Sequence, residues 1–433
     1  MPPPPSTSAS ASASSPSAPL LGMRPPAAWV DRIASSLAFY PPFPASYTIK
    51  RQPDGRRELY VAPTRESRLP SCAFAEAALL PRDSGRRQVA AALIPAPAQP
   101  LTSSSRGPDA ARRLKRRVIL FAHGNAVDLA QQLPFLRELS VALARGGAPV
   151  AIACFDYQGY GESRRVSGRD EDGREDGEGG RGGAGKGSGG AAPSSSCTCA
   201  NAPPAAPPPP SAAAAADAAL PRQTLCPDHG AAPDSTTADA LLDGAAALAW
   251  LLEDKGFAPS EVVLYGQSLG SGVATSLAVA LCERERRRLR EEGRQQKRSR
   301  GAAAAAADAA TEATASSGGL AAAGLILHSP LASGLRVLKP FWRWWPAALD
   351  IFPVARAAAK LSSGGGGRST KCLVIHGDAD DVVPFGNGRA VFDALPPEAR
   401  VEPLWVKGGG HCDLEGRAGF LPRLLKFLKD EIR

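Results

Sequence analysis

One pentapeptide of the sequence, residues 266–270 (GQSLG), has the residue types and spacing of a nucleophilic serine turn. Glycines two positions before and after the serine suit a sharp turn that holds the serine in a strained conformation with its hydroxyl exposed. The mostly apolar segment 261–265 before it is typical of a buried strand, and an apolar helical pattern follows to about Cys282. G-x-S-x-G alone is a weak signal, so it is this strand–turn–helix setting that favours Ser268 as the nucleophile.

A serine nucleophile needs a general base, and the base needs a carboxylate that orients it. Of the five histidines, His411 comes latest in the chain, in a glycine-rich loop (GGGHCD). The chain order serine, acid, histidine that accompanies this serine turn therefore favours His411 as the base. The acid is expected just after an apolar strand that ends at residue 376. Asp378, Asp380 and Asp381 all lie there, and spacing alone does not separate them.

Acyl transfer at a serine also needs two N–H donors for the oxyanion. The residue after the nucleophile, Leu269, is expected to supply one of them. The other is expected from the turn after the apolar run 118–122, and Asn125 is the favoured donor there. A plain tight turn at His123 and Gly124 is the alternative interpretation.

The elements that must position these residues alternate between apolar strands and helical patterns. Strands are predicted at 58–62, 88–94, 118–122, 150–155, 261–265, 324–328, 371–376 and 402–406, and helices at about 128–145, 236–255, 270–282, 386–395 and 416–432. This alternation is typical of an α/β fold with a mostly parallel central sheet and helices on both faces.

Low-complexity segments interrupt the pattern and account for much of the high glycine and proline content, 44 and 41 residues of 433. Residues 1–26 are predicted to be a disordered tail, and 27–433 a single domain. Within that domain, disordered inserts are expected at about 95–111, 164–235 and 284–319, because these segments offer little apolar surface for a core. Roughly 280 residues remain, the size of one domain.

Composition excludes several classes of protein. No stretch of 18 or more strongly apolar residues is present, which argues against a transmembrane helix. The net charge is +9, and residues 283–300 hold nine Lys or Arg and four Glu. Such a tract could contact nucleic acid or an anionic membrane, or could be a solvated extension, mostly helical or disordered. No aromatic residues alternate with the basic ones, so we favour the extension and expect no nucleic-acid partner.

The eight cysteines are scattered along the chain, unlike those of a secreted disulfide framework. Cys154 and Cys372 lie within predicted buried strands, and a reducing compartment is favoured. Four residues of the second predicted insert could be interpreted as zinc ligands: Cys197, Cys199, Cys226 and His229. Their C-x-C spacing and the absence of a core around them favour disorder, and we predict no metal site.

Several separate stretches carry a resemblance to a known family. They are, in chain order, 32–42 (RIASSLAFYPP), 121–131 (FAHGNAVDLAQ), 155–163 (FDYQGYGES), 263–270 (VLYGQSLG), 328–337 (HSPLASGLRV), 376–382 (HGDADDV) and 401–413 (VEPLWVKGGGHCD). Together they resemble the subfamily-17 α/β-hydrolase domain-containing proteins, membrane-associated serine hydrolases that remove palmitate from protein cysteines. HGNAVDL and HSPL-x-SG are much more specific than G-x-S-x-G.

The resemblance implies an α/β-hydrolase fold, aligns the catalytic aspartate with Asp380, and requires no cofactor. It also implies S-acylated proteins as substrates and a cytoplasmic enzyme, peripheral at the plasma membrane or endosomes. We expect a monomer. The family carries an acylated cysteine cluster near its N-terminus, whereas this sequence has no cysteine before Cys72, so membrane attachment by that route is not expected.

The segment 338–353 (LKPFWRWWPAALDIFP) is rich in aromatic residues. We hypothesise that Trp342, Trp344 and Trp345 line an acyl groove or enter a membrane interface, because tryptophan favours that boundary. Packing of a helix against the core is the alternative.

Two other functions remain open from the sequence. A carboxylesterase, lipase or peptidase-like hydrolase could share the fold, because fold does not fix substrate. A non-catalytic interaction protein could use the basic tract or the inserts as docking arms, although the complete serine, histidine and aspartate set argues against this.

Overall fold

An eight-stranded sheet is the centre of the part of the chain that the structure describes. The computed structural model describes residues 38–61, 72–97, 116–166, 236–303, 319–334, 350–361 and 369–432, without the side chains of 297–303. The predicted tail and most of the predicted inserts lie outside these residues, so the predicted domain boundaries stay predictions.

The described residues form ten strands and six α-helices. The strands are β1 (Tyr47–Arg51), β2 (Arg57–Val61), β3 (Glu76–Arg82), β4 (Arg87–Ile94), β5 (Val118–Ala122), β6 (Ala151–Phe155), β7 (Val262–Gln267), β8 (Gly324–His328), β9 (Lys371–Gly377) and β10 (Leu404–Val406). The helices are α1 (Leu129–Arg145), α2 (Thr237–Ala249), α3 (Gly270–Ala303), α4 (Val354–Ala358), α5 (Gly386–Ala394) and α6 (Phe420–Lys426). The π-helical turns Trp250–Asp254 and Phe427–Glu431 continue α2 and α6.

The strand order in the sheet is β10-β9-β8-β7-β5-β6-β4-β3, and β1 pairs with β2 in a separate hairpin. The strands from β10 to β6 are mutually parallel, whereas β4 is antiparallel to both of its neighbours. Because β5 lies between β6 and β7, the chain reverses its winding direction there. Ligands of open α/β sheets bind at the carboxyl ends of strands around such a reversal.

Burial on both faces explains the uninterrupted apolar strands. All five residues of β5, β6 and β8 are buried, as expected for inner strands covered by helices. Alternate β5 residues belong to different cores: Leu120 is part of the core that includes Leu248 of α2 and Val273 of α3. Phe121 is part of the core that includes Leu129 of α1 and Phe420 of α6. The predicted fold class is therefore confirmed.

The predicted end of α3 at about Cys282 is wrong, because the helix continues to Ala303 through the whole basic tract. The disordered insert predicted at about 284–319 is therefore wrong over residues 284–303. The tract lacks proline, and its Arg, Glu, Gln and Lys residues are good helix formers. Arg288 also forms ion pairs along the helix with Glu285 (2.8 Å) and Glu292 (2.7 Å), at the spacings that stabilise helices. Low sequence complexity therefore did not prevent regular structure here.

Three elements are absent from the sequence-based assignment: β1, β3 and α4. Strand β3 (EAALLPR) lacks clear alternation and contains Pro81. It lies at the edge of the sheet, where a missing N–H is tolerated. Its pairing with β4, rather than its own pattern, makes it a strand.

Candidate active site

Ser268 lies in the turn between β7 and α3. Its backbone φ is +50°, in the left-handed region, which costs a non-glycine residue about 1–3 kcal/mol. Hydrogen bonds fix this turn from both sides: the Ser268 N–H donates to the His328 carbonyl (2.9 Å), and the Ser268 carbonyl accepts from the Ser271 N–H (3.0 Å). The result is a half-buried hydroxyl held at the carboxyl end of β7.

The two glycines of the G-x-S-x-G turn are required by close backbone contacts. A Cβ atom on Gly266 would lie 2.4 Å from the Gly270 carbonyl oxygen, and one on Gly270 would lie 2.0 Å from the Ala122 carbonyl oxygen. Both distances are far below van der Waals contact. The turn thus packs directly against the end of β5, which brings Ser268 beside the turn that follows β5.

Replacing Gly270 with alanine is expected to lower the free energy of unfolding by about 3 kcal/mol or more, because backbone atoms cannot yield to the new methyl group. Gly293→Ala is the matched control: it lies in the same helix, and a Cβ there meets nothing within 4 Å. The Gly293→Ala change should raise the free energy of unfolding by up to about 1 kcal/mol. Urea unfolding of both variants measures the difference, and equal stabilities would contradict the prediction.

His411 and Asp380 complete a chain of contacts that begins at Ser268. His411 Nε2 is 3.1 Å from Ser268 Oγ, and His411 Nδ1 is 2.8 Å from Asp380 Oδ2. The other carboxylate oxygen, Oδ1, accepts from the N–H groups of Val382 (3.0 Å) and Val383 (2.7 Å). The carboxylate is therefore oriented on both sides, and it holds the imidazole with Nε2 toward the serine.

The structure separates the three aspartates that spacing left equivalent. Asp378 Oδ1 accepts from the Gly408 N–H (2.6 Å) and braces the loop that carries His411. Asp381 is exposed. Asp380 is the one of the three in contact with His411, and its side chain is fully buried.

Two opposing effects set the charge state of Asp380. Burial raises the pKa of this carboxyl, but hydrogen bonds from His376, His411 and the Val383 N–H outweigh burial and hold the pKa below its usual value. The carboxylate is therefore anionic throughout the neutral pH range. An anion at this place stabilises an imidazolium on His411.

The turn after β5 places a second backbone donor near the serine. A Cβ atom on Gly124 would lie 3.5 Å from Ser268 Cβ, so this turn lies directly against the nucleophile. Within the described residues, the N–H groups of Asn125 and Leu269 donate to no other atom. Both predicted donors are thus available for an oxyanion.

The Asn125 side chain stabilises the turn, whereas its N–H is the predicted oxyanion donor. Its Oδ1 accepts from the Tyr160 hydroxyl (2.7 Å), the Tyr40 N–H (2.9 Å) and the Ala126 N–H (2.9 Å). These bonds fix the turn, in which Ala126 has a φ of +59°. Tyr160 was not identified from the sequence, although it lies within the FDYQGYGES stretch.

Two other described histidines, His123 and His328, contact other partners. His123 Nε2 lies 3.2 Å from Asp156 Oδ1, and His328 Nδ1 lies 3.0 Å from the Tyr265 hydroxyl. Burial lowers the pKa of His328 to about 3, so it stays neutral. His411 is the described histidine within hydrogen-bonding distance of Ser268.

A further contact joins the nucleophile turn to the histidine loop. Gln267, directly before the nucleophile, donates from Nε2 to Glu415 Oε1 (3.1 Å). Burial raises the pKa of Glu415. This pair ties the end of β7 to the segment just after His411, and neither residue was assigned a role from the sequence.

Trp342, Trp344 and Trp345 lie outside the described residues, as do Cys197, Cys199, Cys226 and His229. Within the described ranges, no three His, Cys, Asp or Glu side chains are grouped so that they could hold a metal ion. None of the described helices combines the length and apolarity needed to cross a membrane. The cysteines of this part of the chain, such as Cys154 and Cys372, are free thiols.

Comparison with known family models agrees with the topology. A family model described as the alpha/beta hydrolase fold matches residues 211–337, which include Ser268. This chain has the α/β-hydrolase fold. A solved structure of an esterase from Thermogutta terrifontis, bound to propionate, aligns over 83% of this chain and 93% of its own, with 16% identity and a TM-score of 0.40.

Sequence relatives confirm the resemblance to subfamily 17. Mouse alpha/beta hydrolase domain-containing protein 17C is 43% identical over 110 residues, which are 25% of this chain and 31% of that protein. Human alpha/beta hydrolase domain-containing protein 17B is 30% identical over 177 residues, which are 41% and 44% of the two chains. This chain thus spans less than half the length of the curated relatives it matches.

Proposed function

We propose that this protein is a serine hydrolase that cleaves acyl thioesters, with S-palmitoylated proteins as its substrates. The observation that carries the hydrolase part is the contact chain from Ser268 Oγ through His411 to Asp380, with separations of 3.1 Å and 2.8 Å. The thioester and palmitoyl part rests on the resemblance to subfamily 17, together with the motifs around Asn125 and His328.

In the first half of the proposed reaction, Ser268 Oγ attacks the acyl carbonyl carbon while His411 Nε2 takes the hydroxyl proton. Asp380 stabilises the imidazolium that forms. The carbonyl oxygen becomes an oxyanion that accepts from the N–H groups of Asn125 and Leu269. When the C–S bond breaks, His411 returns the proton to the departing thiolate, which leaves as a cysteine thiol.

In the second half, water attacks the acyl-serine. His411 takes a proton from the water, and the same two N–H groups hold the second oxyanion. The bond to Ser268 Oγ then breaks, His411 protonates the serine, and the fatty acid leaves. This chemistry uses side chains and backbone groups of the chain without a cofactor.

The proposed setting is the cytoplasmic face of a membrane, where S-acylated proteins reside. The chain would act there as a monomer that meets its substrates at the membrane surface. Trp342, Trp344 and Trp345 remain candidates for contact with the acyl chain.

A matched set of substrates tests the proposal. One peptide carries palmitate on a cysteine thiol, and a second carries it on a serine hydroxyl at the same position. Short nitrophenyl esters and aminoacyl amides complete the set. We expect the highest kcat/KM for the palmitoyl-thioester peptide, measured as release of free thiol or of fatty acid, and no turnover by Ser268→Ala. Preference for amides or short esters would overturn the depalmitoylase assignment and leave a hydrolase of another specificity.

A further inference from the structure

A second histidine contacts the carboxylate that holds His411. His376 lies near the end of β9, and its side chain is fully buried. Its Nε2 is 2.8 Å from the Val383 carbonyl oxygen and 3.3 Å from Asp380 Oδ2. A carbonyl oxygen can only accept, so Nε2 carries the proton, and this N–H is shared between the carbonyl and the carboxylate.

The rest of the His376 ring is closely confined. Within the described residues, Nδ1 has no hydrogen-bond partner. A Cβ atom on Gly388 of α5 would lie 2.4 Å from Nδ1. The Phe385 ring packs edge-on, with 5.9 Å between ring centroids. The imidazole is therefore held in one orientation, with its Nε2–H directed at Asp380 and Val383.

We infer that His376 is a positioning residue that fixes Asp380 for catalysis by donating its Nε2–H to the same carboxylate oxygen that holds His411. This inference rests on the proposed function. Asp380 Oδ1 is bound by two backbone N–H groups, and Oδ2 lies between two imidazoles. Four donors surround one carboxylate, so its rotation about the Cβ–Cγ bond is blocked.

The shared oxygen also affects how strongly Asp380 attracts the proton on His411. A carboxylate that accepts an additional hydrogen bond is less basic. Loss of the His376 donor should leave a more basic and less fixed carboxylate, which stabilises the His411 imidazolium more and orients the ring less. Lower reactivity of Ser268 and a higher apparent pKa of the base are therefore expected together.

A merely structural role for His376, such as anchoring the 380–383 loop through the Val383 carbonyl, would lower stability without changing the pH profile. The pH profile of Ser268 reactivity distinguishes the two roles. The titratable groups that act on His411 besides Asp380 include His328 and Glu415, and all variants below leave them unchanged.

The experiment measures the second-order rate of labelling by a fluorophosphonate probe between pH 5 and 9, because this rate needs an activated serine but no particular acyl substrate. His376→Leu removes the donor, and His376→Gln places an amide N–H near the position of Nε2. We expect His376→Leu to be labelled about 10- to 100-fold more slowly. In its profile of labelling rate against pH, the midpoint of the acid limb should lie about half a pH unit higher than in the wild type. His376→Gln should recover most of both losses.

A second pair of variants tests the same inference without replacing the histidine. Gly388→Ala should push the ring away from Asp380 and slow labelling. Gly386→Ala, in the same helix, meets nothing within 4 Å and should label at the wild-type rate. Thermal unfolding of each variant identifies any that fail to fold. If His376→Leu does not fold, the comparison of Gly388→Ala with Gly386→Ala still tests the positioning role of His376.

The outcomes separate this inference from the proposed function. A wild type that the probe does not label overturns both. If the wild type is labelled but His376→Leu and Gly388→Ala keep its rate and pH profile, the positioning role alone is overturned. The positioning role is also overturned if His376→Leu labels more slowly but the acid limb of its pH profile is unshifted, and His376→Gln does not restore the labelling rate.

Discussion

Replacing Ser268 with alanine is expected to lower kcat by about 10^6-fold, to the level that binding and the oxyanion donors alone provide. The serine hydroxyl forms the covalent intermediate, and no described neighbour occupies its place beside His411 Nε2. Alanine tolerates the +50° φ about as well as serine does, so the fold should persist. The measurement pairs substrate turnover with fluorophosphonate labelling, and both should disappear.

Ser271→Ala is the matched control for this change. Ser271 lies three residues further along, at the start of α3, and its buried hydroxyl has no hydrogen-bond partner within the described residues. Removing an unsatisfied hydroxyl should be nearly neutral. Labelling of the Ser268→Ala variant at the wild-type rate would place the nucleophile elsewhere and overturn the assignment of Ser268.

The order of the motifs was enough to place Ser268 and His411 in the same site. Parallel strands with helical crossovers bring their carboxyl ends to one edge of the sheet, so residues that follow β7, β9 and β10 must meet there. The sequence shows those strands as uninterrupted apolar runs. That Ser268 and His411 lie near the acid-bearing turn after β9 then follows from the topology, although these residues are far apart along the chain.

The choice of acid could not be derived from spacing. Asp378, Asp380 and Asp381 lie within four residues, and a turn can direct any one of them inward. What distinguishes Asp380 is burial and the two backbone N–H groups of Val382 and Val383, which depend on the exact path of the turn. The resemblance to a family supplied the assignment that local pattern could not.

The contacts that His376 and Tyr160 make with the site could not be predicted from local sequence patterns either. His376 and Tyr160 act on residues distant in sequence, and both sit in segments whose local patterns indicate a strand end or a turn. For the basic tract, the sequence leaves a mostly helical and a disordered extension both open, because low complexity alone does not distinguish them. The charged residues of the tract form i,i+3 and i,i+4 pairs, as Arg288 does with Glu285 and Glu292.

Asp380→Asn is expected to lower kcat by about 10^4-fold with little loss of stability. The Val382 and Val383 N–H groups require an acceptor at the Oδ1 position, so the amide oxygen of the variant should occupy it. The amide nitrogen then takes the Oδ2 position and faces His411 Nδ1. Because that nitrogen donates, His411 must accept at Nδ1 and carry its proton on Nε2.

In that tautomer the imidazole presents a donor to Ser268 and cannot take its proton. The His376 N–H also faces the Oδ2 position and by itself favours the amide oxygen there, but the two backbone N–H groups at the Oδ1 position oppose that flipped orientation. Asp381→Asn, exposed and one residue away, is the matched control and should retain wild-type turnover. Steady-state kinetics with the best substrate measure both variants. An Asp380→Asn enzyme within tenfold of wild type would show that another group orients His411, since the wrong tautomer leaves no base for the serine.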